Sequence, residues 1–174
     1  MVVDAVKVAV LLFVATVTQV TIVASIKVAT GRPDLVLVML VAVALLRGSI
    51  FGTLGGFWAG VLLDTADLAT LGVTSLLLGI AGYWIGRYGE TTGRDRAHAP
   101  FLSVAVVTLV YAVGDVVVHF MLGQPVSARD ALIDPLPAAM LLNLALTLPV
   151  YRLCRRLLVP ETALERSREV ELVG

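Results

Sequence analysis

The sequence predicts an all-α membrane protein of six transmembrane helices, and three observations carry that prediction. Of the 174 residues, 59% are hydrophobic and 15% charged, with a mean hydropathy of +0.96. Soluble domains average about 45–50% apolar and about 25% charged. A chain of this length cannot hide the excess in one soluble core, so lipid must cover it. The apolar residues also fall into long uncharged runs separated by short polar segments. Finally, the basic residues fall mostly on one side of the successive runs.

The spans are justified in order. The first is expected over about residues 5–26. Val8–Ile26 carries no charge and is flanked by Lys7 and Lys27. That run makes about 28 Å of helix, close to the roughly 30 Å hydrocarbon core. A cleaved signal peptide is the competing reading, because Lys7, an apolar stretch and Ala24 mimic one, but the stretch is long for that purpose. Leu35–Leu46 and Gly48–Leu63 are shorter uncharged runs split by Arg47, which gives helices over 34–46 and 48–63. Merging them into one helix would hold Arg47 near mid-bilayer. That costs about 2.5–3.5 kcal/mol on the lenient insertion scale. The merged helix would also be about 44 Å long and overshoot the bilayer. Two short spans, or a re-entrant hairpin over the same residues, avoid both problems.

Leu68–Gly86 is another uncharged run, as long as the first, and gives the fourth span, 68–86. Phe101–Leu122, apolar apart from Asp115 and His119, gives a fifth over 101–122, and Leu136–Tyr151 a sixth over 135–152. Residues 87–100 (RYGETTGRDRAHAP) form a polar, glycine-rich loop, and 153–174 a mixed-charge tail. The whole of 1–174 is one polytopic domain. With the N-terminus inside, ten of the 13 Lys and Arg residues lie on the inner side and Lys27, Arg32 and Arg129 on the outer. Both termini and the loop 87–100 are therefore expected in the cytoplasm.

Several function classes lose support. Lys+Arg and Asp+Glu balance at 13 each, so nothing argues for nucleic acid. Cys154 is the one cysteine, and His98 and His119 lie far apart in the chain, so no zinc pattern and no cofactor is expected. No Ser/His/Asp set, HExxH or phosphate loop assembles, so no catalysis is expected.

The sharpest pattern is Gly48, Gly52, Gly56 and Gly60, spaced by four. On a helix they form one smooth stripe that lets another backbone approach, either within this chain or from a partner helix. Ala5, Ala9 and Ala15 would extend such a surface on the first span. Gly82 and Gly86 repeat the motif once. Asp64 and Asp67 read as interfacial or capping carboxylates. Asp115 and His119, at i and i+4, share a helix face inside the membrane, where an ionisable pair is a functional candidate or a paired structural contact. Gln19, with Thr16, Thr18 and Thr21, makes the first span polar, which interhelical hydrogen bonding explains.

Taken together, Pro33-Asp34-Leu35, Arg47-Gly48, Gly55-Gly56-Phe57-x-x-Gly60-x-x-x-Asp64 and Leu71-Gly72-x-x-Ser75-Leu76 resemble the central region of the rod-shape-determining family MreD. Gln19, Asn143, Pro149 and Asp115 fit the same family, and Ser75 stands where it usually has Ala. The resemblance implies a multi-pass protein of the bacterial cytoplasmic membrane acting without catalysis in the elongasome. It implies association with MreC, and through it with the MreB filament, RodA and a class B penicillin-binding protein of peptidoglycan synthesis. It also implies a fold similar to the S components of energy-coupling-factor transporters. That kinship supplies the alternative, a substrate-binding subunit of a vitamin transporter. Such a site needs concave walls with polar anchors, whereas 6% of the residues are aromatic.

Overall fold

The computed structural model describes residues 2–22, 32–68, 70–92, 98–123 and 135–158. Among them are six helices and no strand: α1 (Val2–Thr21), α2 (Leu35–Arg47), α3 (Ser49–Ala66), α4 (Val73–Thr92), α5 (Ala99–Met121) and α6 (Leu136–Leu158). Residues 23–26 of the expected first span, 93–97 of the expected loop and 159–174 of the expected tail lie outside the described residues, as do Lys27 and Arg129.

Five helices form a ring and α2 fills it. α2 touches all five others, and the ring runs α1, α3, α4, α5, α6 and back to α1. Every residue from Val36 to Leu46 is buried. A helix that is apolar on all sides has to be enclosed, and here protein encloses it. Its 13 residues make about 20 Å of helix, short of the roughly 30 Å hydrocarbon core. Because it is not lipid that surrounds α2, it does not need a full span's length.

The ring turns its apolar side chains outward. Val10, Phe13, Ile50, Phe57, Leu109 and Leu141 are all exposed, an arrangement that suits lipid and not water. Val3–Thr21, Ala99–Met121 and Leu136–Leu158 are long and apolar enough to cross a membrane. The chain is an α-helical membrane protein.

The closest contact in the bundle joins α3 to α4. A Cβ added at Gly52 would strike the Gly82 carbonyl, at Gly56 the Leu78 carbonyl, and at Gly60 the Ser75 backbone. Gly82 and Gly86 return the contact onto Gly52 and Ser49. Both sides are main chain, so no rotamer can relieve a clash. Gly55, beside the stripe, is filled instead by Leu12 of α1. The stripe is therefore occupied within this chain. Ala15 is also buried, so it and these glycines are not free for a partner helix, whereas Ala5 is exposed and Ala9 half-buried.

Gly48 is not a fourth member of that helical stripe. With φ of 91° it ends α2, its N–H donating to the Ala44 carbonyl at 2.8 Å. L-residues with a side chain rarely take that conformation. Arg47 beside it is paired. Its Nη2 donates to Asp4 Oδ1 at 2.5 Å and to the Leu158 carbonyl at 2.8 Å, tying the ends of α1, α2 and α6 together.

Both ends of α4 and the end of α6 depart from the sequence reading by more than a turn. The fourth helix starts at Val73, because Leu68 (φ 52°) and Gly72 (φ 101°) turn the chain after α3. It continues to Thr92, so residues 87–92 are helix and not loop. The cause is Glu90, which accepts from the Ser49 N–H at 2.7 Å and the Ser49 hydroxyl at 3.0 Å. A carboxylate on α4 thus caps the N-terminus of α3, and the extra turn of α4 delivers it. α6 likewise runs past Arg152 to Leu158, with Arg155 and Arg156 in its last turn, where cations suit the helix dipole.

Candidate functional site

The polar residues gather at the two ends of the bundle. At the end opposite Arg47, they hold the N-terminus of α2. Gln19 of α1 donates from Nε2 to the Pro33 carbonyl at 3.2 Å and accepts from the Leu35 N–H at 2.8 Å. Asp34 is the N-cap of α2, accepting from the Leu37 N–H at 2.9 Å. Its own N–H donates to Asn143 Oδ1 of α6 at 2.7 Å, and Asn143 Nδ2 donates to Thr108 of α5 at 3.1 Å. Two side-chain amides thus satisfy backbone groups of the non-helical segment before α2. In an apolar surrounding each unsatisfied group would cost several kcal/mol.

Asp64 does for α4 what Asp34 does for α2. It is 1% exposed. One oxygen accepts from the Gly72 N–H at 2.8 Å and the Ser75 hydroxyl at 3.4 Å, the other from the Thr74 N–H at 3.3 Å. A carboxylate from the end of α3 caps the next helix, and the Gly72 turn aims those donors at it. Leu71 is exposed beside the turn. Asp67 ends α3 through its backbone, with its side chain exposed.

Between these networks lies a cavity of about 190 Å³, lined by Gln19, Arg32, Asp34, Asp67, Thr74 and Tyr111 together with Val20, Pro33 and Leu63. The Tyr111 hydroxyl is hydrogen-bonded to the Thr74 side chain and lies within electrostatic reach of Asp34, Asp115 and Asp64. Asp34 is bonded to Asn143, about 10 Å or two turns into α6. Thr108 is the last fully buried residue of α5, and beyond it the helix stays against α4, where a Cβ added at Gly114 would meet the Leu77 side chain.

Asp115 and His119 lie on the last turns of α5. His119 Nδ1 donates to the Asp115 carbonyl at 2.8 Å, and Asp115 Oδ1 lies 3.4 Å away. Their side chains are 40% and 28% exposed. Among the described residues no group of three His, Cys, Asp or Glu is placed to hold a metal ion. A second, apolar groove of about 350 Å³ lies on the side of the α3/α4 pair, among Phe57, Leu76, Ile80, Tyr83 and Trp84.

Three of these partnerships were out of reach of the sequence reading: Asp4 with Arg47, Glu90 with Ser49, and Asp34 with Asn143. The first and last join residues 43 and 109 positions apart, so no local spacing signals them. The Asp34 cap itself was readable, as an Asp immediately before an apolar run.

A ring of lipid-facing helices closed round a buried one, with its carboxylates and amides engaged at helix ends, defines a polytopic membrane protein held together by close packing and capping. The family described as rod shape-determining protein MreD matches residues 2–157. The chain belongs to that family, and it is a rod-shape-determining membrane protein. No curated protein and no solved structure gives a significant match to the chain.

Proposed function

We propose that this protein is a non-catalytic scaffold of the bacterial elongasome. In this reading it maintains rod shape by binding MreC and so linking the MreB cytoskeleton to RodA and a class B penicillin-binding protein. The observation that carries the reading is the family match over residues 2–157. The use of the polar residues supports it. Gln19, Asp34, Asp64, Glu90 and Asn143 are each engaged with backbone groups at helix ends, the work of a frame and not of a reaction centre. The alternative of a vitamin-binding subunit asks for a pocket of roughly 300–1,000 Å³. The cavity at the Asp34 end has about 190 Å³, and the groove of about 350 Å³ on the α3/α4 pair is an open, almost wholly apolar surface without the polar anchors of such a site.

The six helices cross the cytoplasmic membrane in turn, with both termini and the Arg47 end of the bundle in the cytoplasm. The Asp34 end then faces outward. Arg47, Arg87, Arg152, Arg155 and Arg156 gather at the inner end, as the distribution of basic residues in membrane proteins requires. Single cysteines at residues 66 and 93, in a Cys154→Ala background, test this orientation. An impermeant maleimide on intact cells is expected to label position 66 and to spare 93. Labelling of 93 with 66 protected would invert the orientation.

The scaffold itself is tested by recovery. Tagged protein drawn from its native membrane in mild detergent is expected to bring MreC with it in near-stoichiometric amount. Recovery of the folded protein without MreC would remove the proposed link.

A further inference from the structure

The ties between the helices sort into two groups, and the chain connections sort the same way. We propose that the bundle is two rigid bodies joined by a hinge. The α3–α4 pair is one body, and the frame of α1, α2, α5 and α6 is the other. They pivot about Gly48 at the Arg47 end, and the Tyr111–Thr74 hydrogen bond latches them at the Asp34 end.

Each body is pinned at both of its ends. In the pair, Gly52, Gly56 and Gly60 lie on the main chain of α4. Glu90 holds Ser49 at one end, and Asp64 holds Gly72 and Thr74 at the other. Main chain against main chain leaves no rotamer that could yield. In the frame, Arg47 joins Asp4 of α1 to Leu158 of α6. At the other end Gln19 and Asn143 hold the segment before α2, and Asn143 reaches Thr108 of α5. Between these ends the Cys154 thiol donates to Met39 Sδ at 3.1 Å, joining α6 to α2.

The seam between the bodies is built differently. Away from Gly48 it includes leucine side chains lying in glycine notches, Leu12 of α1 against Gly55 and Leu77 of α4 against Gly114 of α5. Such contacts are apolar and without direction, and a leucine end can shift where a carbonyl cannot. The tightest approaches lie beside the pivot, where displacement is least. A Cβ added at Gly89 would stand 3.0 Å from the Leu45 carbonyl oxygen, and one at Gly52 2.9 Å from the Ala44 side chain. Ala44 and Leu45 belong to the last turn of α2 before Gly48.

The chain passes between the bodies at Gly48 and again between Thr92 and Ala99, both at the Arg47 end. At the Asp34 end the connections join α1 to α2, α3 to α4 and α5 to α6, each within one body. No covalent link therefore crosses the seam there. Gly48 alone separates α2 from α3, and its φ is 91°. Rotation at a single permissive residue is enough for a hinge. The cavity of about 190 Å³ lies at the free end of the seam, between Gln19, Asp34 and Tyr111 of the frame and Leu63, Asp67 and Thr74 of the pair. The Tyr111 hydroxyl, bonded to the Thr74 side chain, spans it. Opening breaks that bond, widens the cavity and draws Leu77 out of the Gly114 notch.

The test is distance measurement by pulsed electron paramagnetic resonance on the full chain in lipid nanodiscs. Spin labels are placed on pairs of cysteines in a Cys154→Ala background. Leu71→Cys with Ile22→Cys spans the seam at the Asp34 end. Ile22→Cys with Leu141→Cys lies within the frame, and Val3→Cys with Trp84→Cys spans the seam at the Arg47 end. All five side chains are exposed. The first pair is expected to give two distances and the other two pairs one each. Tyr111→Phe removes the hydroxyl alone and is expected to raise the share of the longer distance about threefold, the loss of one hydrogen bond. Thr74→Val is expected to do the same, and it serves where Tyr111→Phe does not accumulate.

A single, unchanged distance between positions 22 and 71, in the wild-type background and in the latch variants alike, would overturn the hinge. So would two distances between positions 22 and 141, because the frame would then not be one body. Two distances between 22 and 71 whose ratio neither latch variant alters would overturn the latch. The scaffold reading is untouched by any of these results, since it rests on recovery of MreC.

Discussion

Gly52→Leu and Gly56→Leu are expected to abolish the folded bundle, whereas Leu54→Ile on the same helix is expected to be close to neutral. At positions 52 and 56 the first added carbon meets the carbonyls of Gly82 and Leu78. The neighbour is main chain within a helix, so the two axes must separate along their length. Ordinary overpacking costs about 1–3 kcal/mol where side chains can shift. Here they cannot, and the loss should exceed about 3 kcal/mol. Without water to drive helices together, association in lipid depends on this close packing. Leu54 is exposed on the outer face, so its replacement changes no protein contact of comparable closeness. Recovery of monodisperse protein after detergent extraction, with its melting temperature, measures the difference. Leucine variants that melt like wild type would mean that α3 and α4 do not meet through this stripe.

The second large effect is expected at Asp64. Asp64→Ala leaves the Gly72 and Thr74 N–H groups and the Ser75 hydroxyl without their acceptor. A buried donor left unsatisfied costs about 1–3 kcal/mol, and water reaches this end of α4 in part. The expected loss is about 2–4 kcal/mol, with Asp64→Asn losing about half of that because one carbonyl oxygen remains. The damage should be local as well as global. Hydrogen exchange at residues 72–76 is expected to speed up more than exchange in α2, which Asp64 does not touch. Equal change in both helices, or none in either, would contradict the capping role.

Much of the fold was legible because lipid simplifies the code. Uncharged runs broken by charges mark where the helices lie, and the departures at their ends have definite causes. The fourth helix starts at Val73 because Gly72 has to turn donors toward Asp64. It ends at Thr92 because Glu90 is needed at Ser49. Both causes are contacts between helices, invisible to hydropathy. The shortness of the 35–46 run was visible, but its meaning was not. A short apolar run has the same composition whether lipid or five other helices enclose it.

The candidate site was legible to a smaller degree. The stripe Gly52, Gly56 and Gly60 was apparent from its spacing, and its partner was not, because Gly82 and Gly86 meet it from a different helix. Gly48 shared the spacing and differs in role, since spacing does not report a φ of 91°. Asp115 and His119 stood out as a local pair. The cavity next to them is built from residues 19, 32–34, 67, 74 and 111, which only the closing of the ring brings together.

The central claim, that this protein maintains rod shape as a scaffold and not as a carrier, is tested most directly by depletion in its own rod-shaped cells. Length-to-width ratio is followed by microscopy, alongside accumulation of labelled vitamins. The account predicts that the ratio falls toward one over a few generations while uptake is unchanged, and that the wild-type chain restores the rods. Cells that keep their rods on depletion but fail to accumulate one specific small molecule would contradict it.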